Sequence, residues 1–277
     1  MTIEHPARNA LQSAAPDVLV ARPEAGVAVV TLNRPAARNA LSLDVIAALH
    51  EAIALLGRDA SISAIVLAAN GPAFSAGHNL KEMTAHRADA DGGIAFFQQA
   101  MTSCAEMMQG IVACPKPVIA AVQGMATAAG CQLVATCDLA VASETATFAT
   151  PGVNIGLFCS TPMVALSRNV PRKRAMEMLL LGEALSASDA AAYGLINRAV
   201  PADRVMDEAL SMARKIATKS KATVAIGKQA FYRQIEQPLA EAYGYAARVM
   251  VDNMMIADAE EGICAIIEKR APAWKDA

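Results

Sequence analysis

Apolar and polar positions fall into two regimes along the chain. Residues 17–32 form two β-rich runs, VLVAR and VAVVTL, around Pro23-Glu24-Ala25-Gly26, which predicts a hairpin. Ser42 then precedes Val45, Ile46, Leu49, Ile53 and Leu56 at helical spacing, so a capped amphipathic helix is predicted up to residue 56. Residues 64–69 read as a buried strand ended by Asn70-Gly71-Pro72, with helical stretches over 80–87 and 94–112. A strand at 118–122 leads through a Gly- and Ala-rich turn into a helix near 130–135 and a strand at 139–142. This alternation indicates an α/β layered domain. Beyond Pro162 the period is almost wholly helical, over 175–181, 187–193, 204–218, 222–236, 239–255 and 259–270. The chain therefore divides into an α/β core, 1–205, and a helical C-terminal region, 206–277.

Composition narrows the function. Of 277 residues 55% are hydrophobic but only 4% aromatic and 18% charged, so the interior is expected to be built from Ala, Val, Leu, Ile and Met. The net charge of −2 and a single basic cluster, Arg172-Lys173-Arg174, leave no footprint for nucleic acid or an anionic membrane. Residues 117–137 and 145–167 carry no Asp, Glu, Lys, Arg or His, and each approaches the ~20 residues that span a bilayer. Gln123, Gly124, Gly130 and Gln132 in the first, and Pro151, Gly152, Asn154, Gly156 and Pro162 in the second, argue instead for buried soluble core. The first twenty residues resemble neither a signal nor a transit peptide, so a cytoplasmic location is expected. Six cysteines, Cys104, Cys114, Cys131, Cys137, Cys159 and Cys264, contain no C-x-x-C pair and no zinc spacing, which predicts buried free thiols and no metal site.

Common nucleotide, hydrolase and metalloprotease motifs are missing: no G-x-G-x-x-G, G-x-x-x-x-G-K-[ST], G-x-S-x-G, S-x-x-K or H-E-x-x-H occurs. What remains is two strand-to-helix corners of small residues. In FSAGHNLKEM, Ser75-Ala76-Gly77 follows a buried strand, and Asn79 with Glu82 resembles a capping box. QGMATAAGCQL makes the second. Such corners leave backbone N–H groups free at a helix start, where they can hold developing negative charge. The same composition also serves close helix–strand packing, and the residues alone leave both readings open.

FSAGHNLKEM, KPVIAAVQGMATAAGCQLVATCDLAVAS, ATFATPGVNIGL and EEGICAIIEKRAPAW together resemble the signature blocks of the crotonase superfamily, the enoyl-CoA hydratase/isomerase family, over residues 18–274. Three blocks, SAGHNLKEM, AAGCQLVATCD and FATPGVNIGLFCSTP, are similar to one branch within it. The resemblance implies an α/β crotonase-like spiral of β-β-α turns, a helical C-terminal trimerisation region, and homotrimers or hexamers built as dimers of trimers. It implies an acyl-CoA thioester as substrate with no further cofactor, and two oxyanion donors that fall on the backbone amides of His78 and Ala129. Removing one such donor typically costs ~10²–10³ in rate. Ala76, His78, Asn79, Leu80 and Lys81 match the segment lining the thioester, and Lys81 with Arg38 would meet the nucleotide phosphates.

One departure is sharp. Where typical hydratases carry two glutamates, this chain has Gln132 and Gly152. An amide takes no proton as a general base and glycine offers no side chain, so two-carboxylate hydration is expected to be impaired. Two alternatives follow: an acyl-CoA-binding protein without catalysis, or another thioester reaction such as hydrolysis through His78, Cys159 or Ser160.

Overall fold

The computed structural model describes residues 16–276. The hairpin is present as β1 (Val18–Glu24) paired antiparallel with β2 (Gly26–Leu32). The Ser42 hydroxyl accepts the Val45 N–H at 3.4 Å and starts α1 (Leu43–Arg58), whose buried face carries the five apolar positions of the predicted stripe. Next come β3 (Ile62–Ala69), β4 (Ala73–Ser75), α2 (Leu80–Ala85), α3 (Ile94–Ala113), β5 (Val118–Val122), β6 (Met125–Thr127), α4 (Ala129–Thr136), β7 (Leu139–Ser143) and β8 (Thr147–Ala149). The rest comprises α5 (Pro162–Asn169), α6 (Arg172–Leu181), β9 (Leu185–Ser186), α7 (Ala187–Ala192), β10 (Arg198–Val200), α8 (Val205–Ala217), α9 (Lys221–Gln234), α10 (Leu239–Met254) and α11 (Ala257–Ile267).

These strands form two sheets. The larger has the order β1-β2-β3-β5-β7-β10 and is parallel from β2 onward; the smaller has the order β4-β6-β8-β9. Each of the pairs β3/β4, β5/β6 and β7/β8 sends its first strand to the large sheet and its second to the small one, and a helical segment follows. That is the expected spiral of β-β-α turns. Helices cover both faces of the large sheet, which is why β3 from residue 64 onward and the whole of β5 are continuous apolar runs and do not alternate. On one face α1 and α3 pack through Leu49, Ile53, Met107 and Ile111. On the other, Val205, Ala209 and Ala213 of α8 lie against Val27, Ala64, Val66, Ala68, Ile119 and Ala121, small side chains that let helix and sheet approach closely.

The 205/206 division falls at the first turn of α8. Helix α9 is tied down by Lys228, whose ammonium donates to Asp138 Oδ2 at 2.7 Å and to the carbonyls of Ile111 and Lys116 at 2.9 and 3.0 Å. Trp274 Nε1 donates to the Thr218 carbonyl at 2.8 Å and draws the tail back across the helices.

Three sequence expectations need correction. Residues 145–167 are not uniformly core: Ile155, Leu157, Phe158 and Val164 are exposed, because after β8 the segment leaves the sheet for a 3₁₀ turn, a loop and α5. Asn79 stands at the N-cap of α2 but makes no side-chain cap, and a reciprocal box has no donor there, because its backbone N–H is given to the Leu41 carbonyl at 3.0 Å. Helix α5 is missing from the predicted helices. By contrast, 118–122 and 129–136 are buried throughout, and among the described residues no helix is long and apolar enough to cross a membrane.

Candidate active site

The first corner follows β4, all three residues of which are buried. Ser75 Oγ donates to the Asn39 carbonyl at 2.9 Å and accepts the Gly77 N–H at 3.2 Å. Ala76 N–H goes to the Arg38 carbonyl at 3.0 Å, and Leu41 clamps the next residues by donating to the Gly77 carbonyl at 2.8 Å and accepting from Asn79 N–H. The amides of 76, 77 and 79 are thus engaged. His78, paired with Leu41 in an isolated parallel bridge, turns its own N–H the other way, and that N–H has no acceptor among the described residues. Asn39, itself 1% exposed, stitches the same region together: Nδ2 donates to the Asn70 and Ala73 carbonyls at 2.9 and 2.8 Å, and Oδ1 accepts from Arg34 N–H.

The second corner joins β6 to α4 through Ala128, whose φ of 50° and ψ of −119° are rarely adopted by an L-residue. Its N–H donates to the Ala149 carbonyl at 2.9 Å, anchoring the corner to β8. Because the positive φ falls on Ala128, Ala129 opens the helix with ordinary angles, and its N–H has no acceptor among the described residues. Replacing Ala128 with glycine is expected to raise stability by about 1 kcal/mol by relieving this strain, read as an upward shift of the urea midpoint; a fall would contradict it.

The corners press directly on each other. A β-carbon at Gly77, which has φ 83°, would stand 3.0 Å from Ala128 Cβ and 3.1 Å from Ala129 N. A β-carbon at Gly130 would run into the Ser75 carbonyl. Small residues are needed here because two backbones adjoin, and the adjoining backbones carry the two free amides.

The buried polar side chains at the corners carry no charge. Gln132, 5% exposed, lies one turn into α4 with Oε1 buried and unpartnered among the described residues. Thr150 Oγ1 just after β8 and His78 Nε2 share that condition. Burial pushes the His78 imidazole below its usual range, so it is neutral near pH 7. Gly152 is buried in the 3₁₀ turn Pro151–Ile155. Burial raises the Cys159 thiol, opposite to what a thiolate nucleophile requires, and lifts neighbouring Cys131 to about 12. Exposed Ser160 donates to the Phe158 carbonyl at 3.4 Å, and neither Cys159 nor Ser160 has an acid or base as hydrogen-bond partner among the described residues. Ala76 is half-buried, as is Asn79; Leu80 and Lys81 are exposed at the start of α2, and Arg38 is exposed beside Ala76. Asn39, Ala128 and Thr150 do not stand out in the sequence. Ala128 carried no local signal, whereas an Asn between Arg38 and Ala40 could have marked a left-handed turn.

A cavity of about 600 Å³ lies elsewhere, between α9, α10, α11 and the tail, and contains none of these residues.

A two-sheet β-β-α spiral with two small-residue corners in contact defines the class, and residues 22–277 match the family model described as enoyl-CoA hydratase/isomerase; the chain belongs to that family. It is similar to enoyl-CoA hydratase domain-containing protein 3, mitochondrial, of Rattus norvegicus, 46% identical over 97% of this chain and 88% of the relative. The crystal structure of an enoyl-CoA hydratase of Mycobacterium smegmatis superposes with a TM-score of 0.89 at 52% identity, covering 94% of this chain and 99% of that one. The crystal structure of human enoyl-CoA hydratase domain-containing protein 3 gives 0.88 at 44%, covering 94% and 100%. The branch marked by the three sequence blocks is this one.

The cytoplasmic expectation is corrected by the same comparison. The rat and human relatives are named mitochondrial, which points to mitochondria and away from the cytoplasm. That expectation rested on the first twenty residues, of which 1–15 lie outside the described residues.

Proposed function

We propose that this chain is an acyl-CoA enzyme of the hydratase/isomerase type that stabilises a thioester enolate between the His78 and Ala129 backbone amides. The observation that carries this reading is the contact between the two corners, each bearing one amide without an acceptor among the described residues. A thioester oxygen held there gains two donors as it becomes negative, in a site where few waters compete. Ala76, Asn79, Leu80 and Lys81 would line the thioester arm, with Lys81 and Arg38 at the rim for the phosphates. No cofactor beyond the CoA thioester is required.

The reaction differs from two-carboxylate hydration, because residues 132 and 152 supply an amide and no side chain. Gln132 is suited to orient a substrate group or a water, not to move its proton. A second reading, binding without turnover, is favoured by that same lack of an acid and a base. Homotrimeric or hexameric assembly is in keeping with the apolar side chains exposed on α10 and α11, including Leu239, Met250, Met254 and Ile266.

Cinnamoyl-CoA tests the reading. Two donors polarising the thioester carbonyl are expected to shift its absorbance to the red on binding, and saturating ester is expected to raise Tm. Absence of both changes would dismiss the site. Release of free CoA, abolished by Cys159→Ala or His78→Ala, would replace it with hydrolysis.

A further inference from the structure

The 3₁₀ turn that carries Gly152 folds back on the loop after it. Leu157 N–H donates to the Gly152 carbonyl at 2.9 Å, and Gly156, with φ 76°, makes the bend between them. Gly152 is caught inside this closure. A β-carbon there would lie 2.8 Å from the Leu157 carbonyl oxygen, 2.9 Å from Cys159 Sγ and 3.3 Å from Cys159 N. The first two separations are shorter than packed atoms tolerate, so a glutamate does not fit at 152 while the loop keeps its shape.

The two obstacles differ in kind. Leu157 O is backbone of an exposed loop residue and yields only by a shift of that loop, whereas Cys159 Sγ is a buried side-chain atom that one substitution removes, leaving the loop as the single neighbour that must give. Cys159 is 7% exposed, and burial keeps its thiol protonated at neutral pH, so it fills space without bringing charge.

We propose that Cys159 is a reaction-determining positioning residue: its thiol occupies the room that a side chain at 152 requires, so packing itself keeps this wall of the pocket free of a second carboxylate. The proposal rests on the reading of 132 and 152 as the carboxylate positions of the family. It acts through residue 152 and needs no contact between Cys159 and substrate. Returning a glutamate to 152 without changing Cys159 is therefore expected to be insufficient.

Two measurements on the full chain test it. In thermal unfolding, Gly152→Ala is expected to lower Tm by roughly 4–8 °C, and Gly152→Ala with Cys159→Gly by less than the sum of the single changes. In a Gln132→Glu background, Gly152→Glu with Cys159→Gly is expected to hydrate crotonyl-CoA on the order of 10-fold faster than Gly152→Glu alone, in kcat and with little change in KM. Additive Tm shifts together with equal kcat in both Gly152→Glu variants would overturn the proposal. Coupled Tm shifts with no hydration in either variant would leave the packing lock in place, but would end both the reaction-determining role and the assignment of 132 and 152 as carboxylate positions.

Discussion

Crotonyl-CoA is expected to be hydrated ~10²–10⁴-fold more slowly by this protein than by a relative carrying both glutamates, because that is the usual cost of losing a positioned acid or base. Adding water across a conjugated thioester needs a group that takes a proton from water and one that returns a proton to the α-carbon. At 132 the buried amide does neither near neutral pH, and at 152 there is no side chain. The proposed oxyanion donors are backbone amides and do not depend on the side chains at 132 and 152, so affinity for the ester is expected to persist while kcat falls. Loss of enoyl absorbance measures the rate, and the rise in Tm with crotonyl-CoA measures binding, about 2.7 kcal/mol at a hundredfold excess over Kd. A rate equal to that of a two-glutamate relative would refute the assignment of both positions.

Cutting Lys228 back to alanine is expected to cost about 3–5 kcal/mol of stability at fixed protein concentration, the range seen when one partner of a buried pair is removed. The Lys228 side chain is 6% exposed and its ammonium satisfies two carbonyls besides Asp138. Asp138 keeps the Val118 N–H on Oδ2 at 2.7 Å and the Tyr232 hydroxyl on Oδ1 at 3.0 Å, yet loses the charge that balances it. Pairing Lys228→Met with Asp138→Asn is expected to cost less than Lys228→Ala alone, since no unbalanced charge stays buried. Urea midpoints give both values; a loss under about 1 kcal/mol for Lys228→Ala would show that solvent reaches the pair.

How far the sequence foretold this differs by element. The apolar stripe of α1 and its Ser42 cap were legible because both are local, and β5 was legible because a strand buried on both faces is uniformly apolar. β4, β6 and β8 have three residues each, too few for any period to register, so the smaller sheet was visible only through family resemblance. The candidate amides were located by position in the motif blocks. What placed them side by side, Gly77 against Ala129 and Gly130 against Ser75, is contact between distant segments, which no local pattern encodes. The same holds for the crowding around Gly152: the missing side chain was plain in the sequence, whereas the atoms that forbid one were not.

The bond from Ala128 N–H to the Ala149 carbonyl also bears on the order of assembly. As the chain leaves the ribosome, Leu41 can clamp the first corner once residue 79 has emerged, but the second corner has nothing to hold its strained Ala128 until β8 follows. Until then residue 128 relaxes to ordinary angles, and the corner takes its strained shape only when the Ala149 carbonyl is there to accept its N–H. The site is therefore completed late, by the arrival of a three-residue strand that itself contributes neither proposed donor.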